Sequence, residues 1–599
     1  MIKRYNDFTW WLNLLQASTI ADKDFTIARN VYYNNNYQVQ TRRWYRKFWP
    51  QIGSAPVSSY FFYQRDDTLE RIAICFSGWV MYKYNESGNT WDSVKTGLFE
   101  FETLPWLEGK RTRRDFAVYK NIIYLCDWVN IYSQYNGSTY TNIGVWSLVS
   151  CAFDNTTDVI TAVAHWLTAW AEIFFTWGTM PTGITENQVY YVITITTNTF
   201  QVSTSPAWSA VNFTTNWSGV SYKALSEPRC RYLQYLQDTL IGAWDDGNPI
   251  SLYYTNTQPT DWTNLNQNVV VVWWDEQGII NWLNEFGQVI LAFKDEKIYA
   301  VDLATPWVST IDTQWWWYSD RSIDIVGNSM VYFTERWIDT LQKRSWVDWS
   351  WAIEWSALGE KVQPLTKEVK PLYYNSNAWI YIRPYNNYYF TFDANQDDRP
   401  DTTLVYNSWV KAFTQYEYPP LYDYGEYKDS QGNIKYLFTS ALGGQVYEME
   451  YWFTDDWAVI NSEIQTKPFD LWDPAQVYTC EFVDIIWWIQ EWWEITAKVL
   501  TDWEVNQEAT ITDANAWDTT EVINSSPLWV APIWVDSLWG KDLWIELTMY
   551  PFTVRVPLYW YFSTIALNLS AAWTQWIFEK MRIEIDWQPI ELYPYNKIL

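Results

Sequence analysis

Apolar residues in this chain almost never recur at helical spacing. Instead, short alternating runs rich in Val, Ile, Tyr, Phe and Thr are separated by Gly, Asn, Asp or Trp, the pattern of β-strands broken by turns. A two-strand signature recurs. One copy runs from Asn121 to Tyr132, a second from Gly287 to Tyr299, a third from Asn328 to Asp339 and a fourth from Ile434 to Tyr447. Each reads as strand, tight turn, strand. The second and third copies begin at 287 and 328, a step of 41 residues, within the period of about 40–50 that four-stranded propeller blades show. Six or seven candidate blades fit between about residues 55 and 455. The predicted fold is all-β. An N-terminal arm (1–54) precedes the first propeller blades (55–151). A small β module (152–225) interrupts the ring, the remaining blades follow (226–460), and a C-terminal β-sandwich (461–599) ends the chain.

Strands this short need turns, and turns need glycine. The chain has 599 residues but only 21 Gly against 47 Trp, whereas average glycine usage of about 7% would supply roughly 42. The tryptophans stand in polar turn contexts, as in Trp273-Trp274-Asp275-Glu276, Trp315-Trp316-Trp317 and Trp492-Trp493-Glu494. There positive φ is often required and Gly is the default. Reading Trp as Gly restores Asp-Gly turns at 127–128, 502–503 and 586–587 and Gly-Gly pairs at 10–11, 273–274 and 487–488. Some bacterial lineages, and phages infecting them, read UGA as glycine, and a table that reads UGA as Trp would print W. Most of these Trp are therefore expected to stand for glycine under an alternative genetic code. Trp91 and Trp262, each followed or preceded by Asp in a turn that leads to a strand, are expected to be authentic. If Trp does occupy these places, many should lie in exposed turns at positive φ. Intact mass of the natively expressed protein checks the reading, and UGG codons at these positions would end it.

Charge and rare residues narrow the function. With 41 Lys+Arg, 69 Asp+Glu and a net charge of −28, the chain is poorly suited to wrapping nucleic acid or coating an anionic membrane. One histidine, His165, nearly removes His-based triads and metal clusters, and its place in the inserted module favours a structural turn role. Cys75, Cys126, Cys151, Cys230 and Cys480 are odd in number with no CxxC spacing, against both a disulfide framework and a zinc site. A reducing compartment is expected. No apolar h-region follows the first residues, and the stretch nearest to a membrane span, Leu558 to Phe578, alternates as strands do.

Neither GxSxG, a P-loop lysine nor GxGxxG after a strand occurs. Tyr84-Asn85-Glu86-Ser87-Gly88-Asn89-Thr90-Trp91 is similar to the Asp-box turn of sialidase-type propellers, with Glu86 in place of Asp and Tyr84 in place of Ser. That box is a folding device at a blade hairpin. Asp393, Asn395 and Asp397 take positions 1, 3 and 5 of a calcium loop, yet Gly is missing at position 6 and Leu404 stands where Glu belongs. A solvated acidic loop is the better reading. Two basic runs, Arg42-Arg43 with Arg46-Lys47, and Lys110-Arg111 with Arg113-Arg114, are expected to be solvated surface, with a neighbouring subunit or DNA phosphates as the other reading. No catalytic, cofactor-binding or metal-ligating residue is predicted, and no cofactor.

Three groups of residues carry a family resemblance. The module runs through His165-Trp166-Leu167-Thr168-Ala169-Trp170, Met180-Pro-Thr-Gly183, Tyr190-Tyr-Val192, Asn198 to Ser203 and Trp217-Ser-Gly219. It resembles a small β module of phage virion proteins in which Trp166, Trp170, Trp208 and Trp217 would be Gly. The N-terminus, with Phe8-Thr-Trp10-Trp11-Leu12-Asn13, Asn30-Val31 and Arg42-Arg43-Trp44, resembles the opening of phage β-propeller tail proteins. Leu252 to Trp262, Ala292 to Tyr299 and Glu335 to Asp339 are similar to successive blades of that family. The resemblance implies a non-enzymatic tail or head–tail connector subunit of the nozzle or DNA-stabilisation type. Such a subunit would form a homo-oligomeric ring in the virion, be assembled in the host cytoplasm, have portal, adaptor or tail subunits as neighbours, and let DNA pass transiently without a membrane span. Acidic side chains facing the conduit would let the duplex slide, over a Debye length of about 8 Å. Two alternatives stay open. A glycan-binding adhesin needs exposed Trp and Tyr around a polar pocket, and a propeller glycosidase needs two carboxylates about 5–9 Å apart.

Overall fold

The computed structural model describes residues 2–5, 12–14, 24–98, 114–255, 268–312, 323–352, 360–366, 377–451, 460–512 and 549–586, apart from short interruptions within these ranges. Strand pairing sorts them into seven four-stranded antiparallel blades: blade 1 (57–96), blade 2 (115–142), blade 3 (232–271), blade 4 (280–312), blade 5 (324–352), blade 6 (378–417) and blade 7 (421–451). Blades 1 to 6 are consecutive four-strand meanders. Blade 7 has three strands of its own and takes its fourth, Trp44–Phe48, from the N-terminal arm. The four signature copies coincide with the second and third strands of blades 2, 4, 5 and 7, the third strand of blade 2 starting just beyond its copy.

A blade buries both faces because it is sandwiched between two others, so its strands read as nearly continuous apolar runs. Val289–Lys294 is buried along its whole length. The apolar clusters lie between neighbours. Ile72 and Phe76 meet Ile123 and Leu125 between blades 1 and 2, and Tyr119 and Tyr124 meet Leu233 and Tyr253 between blades 2 and 3. Ile241 meets Ile280 between blades 3 and 4, and Phe293 meets Met330 between blades 4 and 5. Tyr389 meets Phe438 between blades 6 and 7, and Leu437 meets Cys75 across the seam from blade 7 to blade 1. The ring is closed.

The inserted module is a closed six-stranded barrel from Val149–Asp154 to Trp217–Ala224, three residues earlier than the expected start. Its centre is filled by Phe153, Ile160, Phe175, Tyr190, Phe200 and Tyr222 among others. The C-terminal segment contributes two sheets, and both recruit the arm. Tyr478–Gln490 pairs with Met549–Pro557 on one side and Trp576–Asp586 on the other, and Trp576–Asp586 also pairs with arm strands Ile2–Tyr5 and Val39–Thr41. The second sheet runs from blade 6 through arm strand Phe25–Arg29 to Asn461–Thr466, Thr564–Ala572 and Glu494–Thr501. The N-terminal arm is thus a component of three sheets.

Most of the printed tryptophans, including Trp262, lie outside the described residues. Trp79, Trp166, Trp170 and Trp409 are exposed in turns or loops. Among the described tryptophans only Trp170 has positive φ, 68°. At the turns of Trp79 and Trp409 another residue is left-handed, Gly78 before Trp79 and Lys411 two residues after Trp409, while Trp217 opens strand Trp217–Ala224 two residues before left-handed Gly219. Trp91 is half-buried, packed against the Phe48, Tyr60 and Tyr427 cluster with its ring 5.2 Å from Tyr84. The two sites predict opposite signs. Trp170→Gly removes a left-handed side chain and is expected to stabilise by about 1 kcal/mol. Trp91→Gly is expected to destabilise by about 3 kcal/mol. Denaturant unfolding of the two variants checks this.

Candidate functional site

The described residue types that looked most like chemistry serve closure of the ring. Arg42 is buried to 1% exposure. Its Nε donates to Asn30 Oδ1 at 2.9 Å, Nη1 to the Arg43 carbonyl at 3.0 Å and Nη2 to the Glu417 carbonyl at 3.1 Å. The guanidinium also lies 5.0 Å from the Tyr418 ring centre and 5.6 Å from that of Tyr416. A planar donor fork suits such divergent acceptors where a lysine would not. Asn30, in the left-handed region at φ 54°, accepts from the Glu417 N–H at 2.8 Å. Arg43 stacks 4.1 Å over Tyr385. Burial opposes the Arg43 charge, but Tyr32, Tyr385 and Glu450 around it raise its pKa. Glu450 accepts a hydrogen bond from the Tyr389 hydroxyl, and burial pushes its carboxyl above the ordinary range against the pull of Arg43. Arg46 makes a two-toothed pair with Glu448 at 2.8 and 2.7 Å. The first basic run is therefore a structural joint, correcting the expected solvated surface. Its buried members could not escape the core, because the strand they flank completes blade 7. Of the second run, Arg114 is described. It is 4% exposed, paired with Asp127 at 2.9 Å and 3.9 Å from the Phe76 ring centre; the rest of the run lies outside the described residues.

Polar ties link neighbouring blades at their first strands. The Tyr60 N–H donates to Asp423 Oδ2 at 3.0 Å, from blade 1 to blade 7. The Arg114 N–H donates to Ser59 Oγ at 3.2 Å, and the Leu233 N–H to Asp115 Oδ2 at 2.8 Å, which ties blade 3 to blade 2. The barrel is mounted by one basic group: Arg229 grips both carboxylate oxygens of Glu172 at 2.6 and 2.7 Å and the Tyr191 hydroxyl at 2.6 Å. On the barrel, Ala152, Phe153, Asp154, Asn216, Trp217 and Ser218 line an open groove of about 550 Å³.

The other singled-out residues are also accounted for. In the Asp-box-like turn, Asn85 Oδ1 accepts from Ser87 Oγ at 2.8 Å and the Gly88 N–H at 3.1 Å, closing the hairpin between the third and fourth strands of blade 1. The same device recurs at the ends of third strands. Asn136 accepts from the N–H groups of Ser138 and Thr139, Asp302 from that of Ala304, and Asn407 from those of Trp409 and Val410. These residues were missed in the sequence, although an Asn or Asp ending an apolar run is a visible signal. The acidic loop joins two strands of blade 6, as expected, but Asp393 is fully buried and accepts from the Gln396 N–H at 2.6 Å. Burial, followed by Asp393 and Asp397, raises the Asp401 pKa. Among the described residues no group of three or more His, Cys, Asp or Glu could hold a metal ion. His165 lies edge-on to Phe200 at 5.2 Å, with Nε2 3.3 Å from the Thr199 carbonyl. Cys75, Cys126, Cys151 and Cys230 are buried and form no disulfide, and burial pushes the Cys151 thiol up to about 12. No described helix is long and apolar enough to cross a membrane.

No family model and no curated protein matches the chain. Among solved structures, the computationally designed Ika8 protein aligns over 67% of this chain and 99% of its own length, at 8% identity and a TM-score of 0.33. The N-terminal domain of Nup159 covers 51% of this chain and 75% of its own at 9% identity and a TM-score of 0.27. The Neurospora crassa Pan2 WD40 domain covers 70% and 97% at 8% identity and a TM-score of 0.25. At such scores the propeller assignment rests on the strand pairing itself.

One tie reports on pH. Glu86 accepts from Arg71 Nε and Nη2 at 3.0 and 2.6 Å and from the Ser430 N–H at 2.9 Å, joining blade 1 to the blade 7 hairpin. Burial alone would raise its pKa, but Arg71 and Ser430 outweigh it and leave it below the ordinary 4.5. Its contribution is therefore present above the ordinary carboxylate range and lost as pH falls through the lowered value. Glu86→Gln is expected to cost about 0.5 kcal/mol at pH 7, allowing for solvent screening. The gap should shrink as pH falls below the ordinary carboxylate range, as read by urea unfolding across a pH series.

Proposed function

We propose that this chain is a non-enzymatic structural subunit of a phage virion, in the tail or head–tail connector, acting in a ring around the DNA conduit. Portal, adaptor or tail subunits are its neighbours, and assembly takes place in the host cytoplasm. The observation that carries the reading is the use made of the charged groups. Arg42, Arg46 and Arg114 of the two basic runs, and Arg229 beside the barrel, bind one part of the chain to another. A body held rigid in this way, with a barrel mounted on it and an arm woven into three sheets, suits a load-bearing component. The net charge of −28 suits a wall that DNA passes without sticking. Glycine in place of most turn tryptophans belongs to the same reading.

Electron microscopy of the purified full chain, alone and with tail fractions, tests it. Closed rings with a lumen wide enough for duplex DNA and acidic side chains around it are expected. A chain that stays monomeric in both conditions, or rings with basic lumens, would overturn it.

The glycan-binding adhesin is favoured by one observation, the groove in which the exposed Trp217 stands beside Asp154 and Asn216. An indole face with flanking polar groups is suited to a sugar ring. Glycine at 217 would remove that face, so the same mass measurement that decides the code separates the two readings.

A further inference from the structure

Positive charge is concentrated at the start of the chain. The first 48 residues hold eight basic and three acidic side chains, whereas the remaining residues hold 33 basic and 66 acidic. The arm has a surplus of five positive charges and the body a surplus of 33 negative ones.

The pairing of the arm matches this division. Where Trp44–Phe48 lies along Val446–Tyr451, the register sets Arg46 opposite Glu448, and the ladder is interrupted by a bulge between Glu448 and Tyr451. Arg46 holds Glu448 Oε2 through two nitrogens and covers the Tyr451 ring at 3.4 Å. Lys435, on the neighbouring strand of blade 7, approaches the other oxygen at 3.8 Å. Farther up the arm, Arg29 pairs with Glu417 of blade 6 at 3.3 Å and with Glu463 at 3.7 Å. Phe48 is buried in the cluster between blades 7 and 1, and Tyr45 packs edge-on to Tyr418, Phe438 and Tyr447, so apolar contacts seat the strand and the Arg46–Glu448 pair fastens its outer side. The Arg46 side chain is 38% exposed, which leaves the pair within reach of salt.

We propose that the fourth strand of blade 7, Trp44–Phe48, is a charge-latched strap: Arg46 in its Glu448 socket keeps the ladder closed, and screening or reversing that charge lets the strand open locally. Blade 3 takes all four strands from its own meander and shares no apolar cluster with the arm, so it stays folded when the strap opens. The inference concerns closure alone and stands whether or not the chain belongs to a virion.

Hydrogen exchange of the full chain, expressed as protection factors, tests it. Between about 0.1 M and about 1 M NaCl the Debye length falls from about 10 to about 3 Å. Protection of residues 44–48 is expected to fall about tenfold while that of Tyr232–Leu236 in blade 3 holds. Arg46→Glu and Glu448→Lys should each lower protection of the strap about tenfold, and the double variant, which restores the pair with reversed sign, should regain most of it. Equal salt response in strap and blade 3, or a double variant no better protected than the singles, would overturn the proposal. If a single variant unfolds blade 3 as well, the salt comparison on the unaltered chain decides.

Discussion

Closure of the ring is the constraint on which the rest of this structure depends. Each blade is a twisted sheet with two apolar faces, and neither face is covered until a neighbour stands against it. A ring open at one seam would leave blade 7 short of a strand, with a row of unpaired backbone groups along its edge. The chain meets this by bringing Trp44–Phe48 back to Val446–Tyr451, about 400 residues later. Contacts that distant are costly to form, because much chain must be ordered first. The side chains at the joint are accordingly strong directional ones, such as the Arg46–Glu448 pair and the Arg42 fork.

The same economy governs the polar groups elsewhere. A buried N–H or carboxylate is costly without a partner, and here such groups are partnered across element boundaries. Asp423 and Asp115 accept backbone N–H groups from the adjoining blade. Arg229 and Glu172 fasten the barrel to the propeller. Asn85, Asn136, Asp302 and Asn407 close blade hairpins by satisfying the turn's own N–H groups. Charge that looks, in a list of residues, like material for catalysis or nucleic-acid binding is instead distributed along the joints.

Much of the fold was legible because its signals are local. Alternation marks a strand within five or six residues, and the signature copies fell on second and third blade strands. The barrel began within three residues of its expected start. The role of the arm was not legible. Nothing within Arg42 to Phe48 reveals that its partners are Glu417, Glu448 and Tyr451, so the run looked like solvated surface. Asp393 misled for the same reason: its spacing with Asn395 and Asp397 is local, but its burial is set by how the blade packs. Turns at Trp79 and Trp409 were recognised by context, yet the left-handed residues there are Gly78 and Lys411 rather than the tryptophans, and Trp217 lies in a strand.

The sequence by itself determined that this chain would be a succession of short strands and tight turns, since period-two alternation and turn-forming side chains act between near neighbours. It also determined the charge division between arm and body, which is a matter of composition. Only the tertiary structure decided which sheet edges meet, that seven blades close with a borrowed strand, and which arginines are buried. Those outcomes depend on pairing between segments hundreds of residues apart, and no local pattern encodes the identity of a distant partner.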